Sequence, residues 1–310
     1  MAGLVIMKYQ FHTFDVFTMR KFAGNPLAVV LNADGLTTEQ MQTITKEFNL
    51  SETTFVMKPE DPANTAKMRI FFPGGEMPFA GHPTLGSAIL LAQLHGLDEV
   101  RLELKAGLTP VAIERVGDVV SGTLRAPVVP FQVPIALPPV ELVAAALGLK
   151  AQDIGFDGHE IGLFEGGPRF FQVPVKTRAV LASSKTCEPH WSNLMAALKQ
   201  GLGGGELVDA AYLYTRGGEG AETSFRARMY APGGGISEDP ATGSATALLA
   251  AQLLKSEKLK DGTHVWHLEQ GYEMGRPSDL RLEADVRHAK LEAVRVGGSA
   301  VHVMHGEIEL

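Results

Sequence analysis

Apolar positions along this chain fall into two patterns. Most form short runs of strand length, but two stretches are apolar on every side. Ala245, Ala247, Leu248, Leu249, Ala250, Ala251, Leu253 and Leu254 follow Asp239-Pro240-Ala241-Thr242-Gly243-Ser244. Ile89, Leu90, Leu91, Ala92 and Leu94 follow His82-Pro83-Thr84-Leu85-Gly86-Ser87-Ala88. A helix that is apolar all round belongs inside a protein, not on its surface. Asp239 stands 157 positions after His82, and the Pro, Gly, Ser and Ala that follow each fall at matching offsets. A repeat half a chain long predicts two similar domains related by duplication.

The shorter runs predict strands at 9–18, 26–31, 54–57, 68–72, 100–104, 111–115 and 119–125, then at 169–175, 211–215, 224–230, 263–268 and 280–284, with a strand-rich tail to Leu310. A helix capped by Thr37 or Thr38 should run to about Phe48, with Met41, Ile44 and Phe48 on one face. Further helices are expected at 140–147 and 190–199. Five prolines from Pro127 to Pro139 suggest a linker. The expected domains are residues 1–127 with the tail from about 299–310, and residues 128–298. Regular strand–helix alternation is not visible, which argues against a doubly wound parallel sheet. The expected fold class is therefore α+β: two similar domains, each a curled, mostly antiparallel, barrel-like sheet around a central apolar helix.

Composition narrows the function. A net charge of −7 without a basic run argues against a nucleic-acid partner. The apolar runs break off short of a membrane span, and no leader pattern opens the chain, so the cytoplasm is the expected location. A single cysteine, Cys187, excludes an internal disulfide framework and any two-thiol mechanism within one chain.

Helix N-termini present unpaired N–H groups and favour anions. Two related helices would bring His82, Asp239, the amides around Gly81 and Gly243, and the hydroxyls of Ser87 and Ser244 to one cleft. The plainer alternative is that Asp239 and Ser244 cap a structural helix, with Gly243 present for close packing. Glu52 stands among Ser51, Thr53 and Thr54, just before the apolar Phe55-Val56. Near a pocket it suits a general base; otherwise it is a loop glutamate at the surface. His264-x-x-His267 and His302-x-x-His305 have the look of metal motifs, but strand spacing should put the two rings of each pair on opposite faces, and no metal is expected.

Several motifs occur in order between residues 22 and 278: Phe22-x-Gly24-Asn25-Pro26-x-Ala28-Val29-Val30, Asn49-Leu50-Ser51-Glu52-Thr53-Thr54-Phe55-Val56, Glu76-x-Pro78-Phe79-Ala80-Gly81-His82-Pro83-Thr84-Leu85-Gly86, Glu238-Asp239-Pro240-Ala241-Thr242-Gly243-Ser244-Ala245, and Gln270-Gly271 through Gly275-Arg276-Pro277-Ser278. Together with Val296-Gly297-Gly298 they resemble the PhzF (phenazine-biosynthesis) family. The resemblance implies a diaminopimelate-epimerase-like fold and a homodimer. It also implies a cofactor-free isomerase acting on a small carboxylate such as trans-2,3-dihydro-3-hydroxyanthranilate. By motif match, Glu52 corresponds to the catalytic glutamate, and His82, Asp239 and Ser244 to other site residues. Gly81 and Gly243 match positions whose amides face substrate. Two alternatives stand beside this reading: a non-catalytic ligand-binding or adaptor protein, and an amino-acid racemase or epimerase. The second would want cysteines where His82 and Asp239 stand.

Overall fold

The computed structural model describes residues 7–203, 209–234 and 236–310. The chain divides into two compact units, Met1–Leu124 with Gly297–Leu310, and Arg125–Val296.

The first unit contains β1 (Lys8–Val16), β2 (Asn25–Val30), α1 (Thr38–Phe48), β3 (Glu52–Met57), β4 (Ala66–Phe72), β5 (Gly75–Met77), α2 (Gly81–His95), β6 (Glu99–Leu104), β7 (Gly107–Val116) and β8 (Val119–Arg125, which ends at the unit's edge). Helix α1 begins on a full capping box: the Thr37 hydroxyl accepts from Gln40 N–H, and the Gln40 side chain accepts from Thr37 N–H. Pairing runs β1–β2 antiparallel, β2–β3 parallel, β3–β4 and β4–β5 antiparallel, β4–β6 parallel, then β6–β7 and β7–β8 antiparallel. The last strand, β17 (Lys290–Glu309), pairs with both β1 and β8 and so closes the ring.

Helix α2 fills this ring and is buried without interruption from Gly81 to Ala92. It packs closely on β1 and β2. A Cβ at Gly86 would lie 2.6 Å from Leu27 Cδ2 and 2.7 Å from Val16 Cγ2. The helix ends at Gly96, whose φ of 68° is the left-handed conformation that glycine adopts at low cost.

The second unit contains β9 (Phe131–Gln132), α3 (Val140–Ala146), β10 (Gly162–Glu165), β11 (Arg169–Pro174), α4 (Arg178–Ser183), α5 (His190–Gly201), β12 (Ala211–Arg216), β13 (Phe225–Ala231), β14 (Ile236–Asp239), α6 (Gly243–Glu257), β15 (Gly262–Gln270), β16 (Ser278–Arg287) and the first part of β17. Its pairing repeats that of the first unit step for step. β10–β11 is antiparallel, β11–β12 parallel, β12–β13 and β13–β14 antiparallel, β13–β15 parallel and β15–β16 antiparallel. Helix α6 follows the short strand β14 as α2 follows β5, and it is buried from Ala245 to Leu253. A second core lies under α3 and α5, where Trp191, Leu194 and Leu198 meet Val143, Leu163 and Phe171.

Three expectations need correction. The proline-rich stretch is not a free linker. It belongs to the second unit, Pro130 is buried, and Phe131–Gln132 pair with Phe164–Glu165. Pro130 directly before that pair can donate no ladder hydrogen bond, and on the other side Val133 N–H still reaches the Leu163 carbonyl at 2.8 Å. The second apolar helix begins at Gly243, four residues after Asp239, which ends a strand instead. Finally, His302 and His305 do not point to opposite faces. The register slips between Thr13 and Phe14, so that His12 faces His305 while Phe14 faces His302. The extra residue turns the two rings to one side, 5.7 Å apart, and His12 Nδ1 lies 3.2 Å from His302 Nε2. Among the described residues, no three potential ligands converge as metal ligands do.

Candidate active site

Glu52 and His82 come together in the first unit. Strand β3 is parallel to β2 with Leu27 opposite Glu52, so Pro26 and Glu52 sit on neighbouring strands below the start of α2. His82, the second residue of α2, is only 5% exposed. Its Nε2 lies 3.2 Å from Glu52 Oε2, within hydrogen-bonding distance though short of good alignment. The ring also bonds to the Pro26 backbone, which can only be the carbonyl because proline has no N–H. Burial lowers the His82 pKa to about 3, and the Pro26 bond opposes this more weakly. The imidazole is therefore neutral at ordinary pH. With its N–H committed to Pro26, it turns a lone pair towards Glu52.

Gly81 opens α2 and is buried. The cap residue Ala80 offers no side-chain bond to the first-turn amides. Ser87, by contrast, does not reach a site. It is fully buried, with its hydroxyl 2.8 Å from that of Thr54.

In the second unit Asp239 ends β14, and Gly243 and Ser244 are the first two residues of α6. Gly243 is buried and Ser244 half-buried. The cap residue of this helix is Thr242, whose side chain makes no cap bond, and Ser244 lies inside the first turn. The Thr242 hydroxyl instead donates to Asp239 Oδ2. Gln270, fully buried at the end of β15, donates to the Asp239 carbonyl (2.8 Å) and to Thr242 Oγ1 (3.0 Å), and accepts from Thr242 N–H (3.1 Å). Beside Asp239, Glu238 forms a two-pronged pair with Arg228 at 2.9 and 2.8 Å. Sequence reading passed over Thr242 and Gln270 as individual residues, although both stand in the ordered motifs.

Comparison with known proteins agrees with this architecture. An uncharacterised isomerase of Mesorhizobium japonicum is 39% identical over 95% of this chain and 97% of its own. The trans-2,3-dihydro-3-hydroxyanthranilate isomerase of Pseudomonas aeruginosa is 34% identical over 97% of this chain and 100% of its own. The crystal structure of a PhzF-family phenazine biosynthesis protein from Bacillus anthracis superposes with a TM-score of 0.85 at 26% identity, covering 97% of this chain and 99% of that one. It shares the diaminopimelate-epimerase-like fold expected from the sequence. The family model described as phenazine biosynthesis-like protein matches residues 14–306, and the chain belongs to that PhzC-PhzF family.

Proposed function

We propose that this isomerase moves a proton from one carbon to another within a small cyclic carboxylate, by general acid–base catalysis and without a cofactor. The substrate class is that of trans-2,3-dihydro-3-hydroxyanthranilate, the compound named for the Pseudomonas aeruginosa relative. The observation that carries the reading is the approach of Glu52 Oε2 to the buried, neutral His82 at 3.2 Å. In this scheme the Glu52 carboxylate takes a proton as one C–H bond breaks, and the double bond shifts. The same carboxyl group then returns the proton as a new C–H bond forms, so no electrons leave the molecule and no redox partner is needed. His82, Asp239 and Ser244 complete the catalytic set. The amides of Gly81 and Gly243, at helix starts whose cap residues make no side-chain bond, favour the substrate's carboxylate. The reading includes a homodimer, as the family resemblance implies, and a cytoplasmic location, as expected from the sequence pattern.

The test is incubation with dihydro-hydroxyanthranilate-type acids in deuterated water. Deuterium should enter at ring carbons, and acids should bind more tightly than their uncharged amides. No exchange with any such acid, or equal affinity for acid and amide, would refute the scheme.

A further inference from the structure

Gln270 can be oriented in one way only. Its Oε1 accepts the Thr242 N–H at 3.1 Å, so the other end of the amide, Nε2, faces the Asp239 carbonyl at 2.8 Å and Thr242 Oγ1 at 3.0 Å. Because Thr242 Oγ1 accepts from that amide, the hydroxyl proton is available to the acceptor on its other side, Asp239 Oδ2. Each bond direction is thereby set: Gln270 donates to Thr242, and Thr242 donates to Asp239. The backbone keeps this register. A Cβ at Gly271, where φ is 76°, would lie 2.6 Å from the Pro240 carbonyl oxygen and 2.4 Å from that of Arg276. The end of β15 is thus pressed against the Asp239-Pro240 segment.

The fold does not require this arrangement. At the matching offset in the first unit, Leu85 stands for Thr242 and His82 for Asp239, and there the chain is already helical. The same kind of buried helix is built without the hydroxyl and without the amide. In the second unit, Gln270 takes up the Asp239 carbonyl and the Thr242 N–H, two groups that a helix beginning earlier would have engaged itself.

We propose that Thr242 and Gln270 are positioning residues for Asp239. Gln270 fixes the Thr242 hydroxyl as a donor, and that donor holds the Asp239 carboxylate ionised and in one orientation for proton transfer. This rests on the reading that Asp239 takes part in catalysis. A hydroxyl donating to a carboxylate favours the charged form, and such bonds to charged groups are stronger than neutral ones.

The experiment compares Thr242→Val, Thr242→Ser and Gln270→Met in the full chain. Asp239 titration is followed by carboxyl carbon NMR in the free protein, and the pH profile of solvent exchange is measured beside it. Thr242→Val keeps the side-chain shape and loses the donor. It should move the Asp239 titration and the acidic limb of the profile upward together, by about one pH unit. Turnover should fall about tenfold with KM within about twofold. Thr242→Ser should restore both, and Gln270→Met should move them in the same direction as Thr242→Val. A folded Thr242→Val protein whose Asp239 titration is unmoved overturns the inference, whatever happens to activity. Full turnover by Asp239→Asn would instead overturn the catalytic reading of Asp239, and the titration alone would then decide whether the Gln270–Thr242 relay exists.

Discussion

Burial takes the His82 pKa down to about 3, and the sign of its effect on stability follows from that. An unfolded histidine titrates near 6.5, so between about 6.5 and 3 the unfolded chain binds this proton more readily than the folded one. The contribution to stability is fully present above pH 6.5 and declines as pH falls, by up to about 1.4 kcal/mol per pH unit. His12 and His302, whose pKa values are also lowered chiefly by burial, add to the slope in the same direction. The measurement that isolates His82 is therefore the difference between wild type and His82→Gln in denaturant midpoints from pH 7 to 5. The variant should show a visibly shallower decline; equal slopes would mean that His82 is not held neutral. Glu52→Gln tests the chemistry. It keeps the shape beside His82 but cannot accept a proton, so turnover should fall about 10²- to 10⁴-fold while a substrate analogue still binds. Wild-type turnover in that variant would end the proposal for Glu52. His82 stood out in the sequence as the start of a repeated motif, and Glu52 as a carboxylate just before an apolar pair. Ser87 stood out as a hydroxyl of the same repeat, yet that hydroxyl is consumed by Thr54 in the core, a contact across 33 residues that local pattern cannot show.

Elements with a clear period were legible at their true positions: Val119–Arg125 was read without error, and α1 was found from its threonine cap. Strands β5, β9 and β14 span only two to four residues, too few for a period to register. Two further departures came from partners distant in the chain. Gln270 holds the Asp239 carbonyl and the Thr242 N–H ahead of α6, and the slip of β1 against β17 gathers three histidines that simple alternation would separate. The packing of α2 also depends on distant partners, and it can be tested. Gly86→Ala puts a methyl group against Leu27 and Val16 at distances no real Cβ occupies, so it should cost about 1–3 kcal/mol in a denaturant titration. Both obstacles are side chains, and Leu27→Ala makes room for the added methyl. The double variant should therefore lose less stability than the two single changes summed, a coupling expected only of residues in contact. Strict additivity would show that Gly86 is not what lets the helix approach its strands.

The repeated pairing order of the two units accounts for the sequence repeat at the scale of the whole chain, but the units are not built alike from the polypeptide. Arg125–Val296 is continuous, whereas the first unit needs both Met1–Leu124 and Gly297–Leu310. The returning segment is structural: residues Ala300 to Glu309 of β17 pair along the whole of β1, and β17 also pairs with β8. Removing residues 297–310 therefore strips β1 of a complete partner and opens the ring around α2, whose apolar surface is then exposed. Such a truncation should bind a hydrophobic dye and lose the cooperative melting of the first unit, while the second unit, which keeps its own cores, still melts as a folded body. Connectivity can be separated from composition because the first described residue pairs with Leu310. Met7 N–H donates to the Leu310 carbonyl at 3.0 Å, and Leu310 N–H to the Met7 carbonyl at 2.9 Å. A chain rearranged to begin at Gly297, with Leu310 joined to Met1 by a short Gly/Ser linker, makes the first unit continuous at the cost of a break within β17. It should recover the first unit's melting and the proton exchange, though at a lower Tm than the natural chain. A truncated protein that melts like the intact one would show that the returning strand is dispensable. A rearranged chain no better than the truncation would show that continuity of β17, rather than presence of its last residues, holds the first unit together.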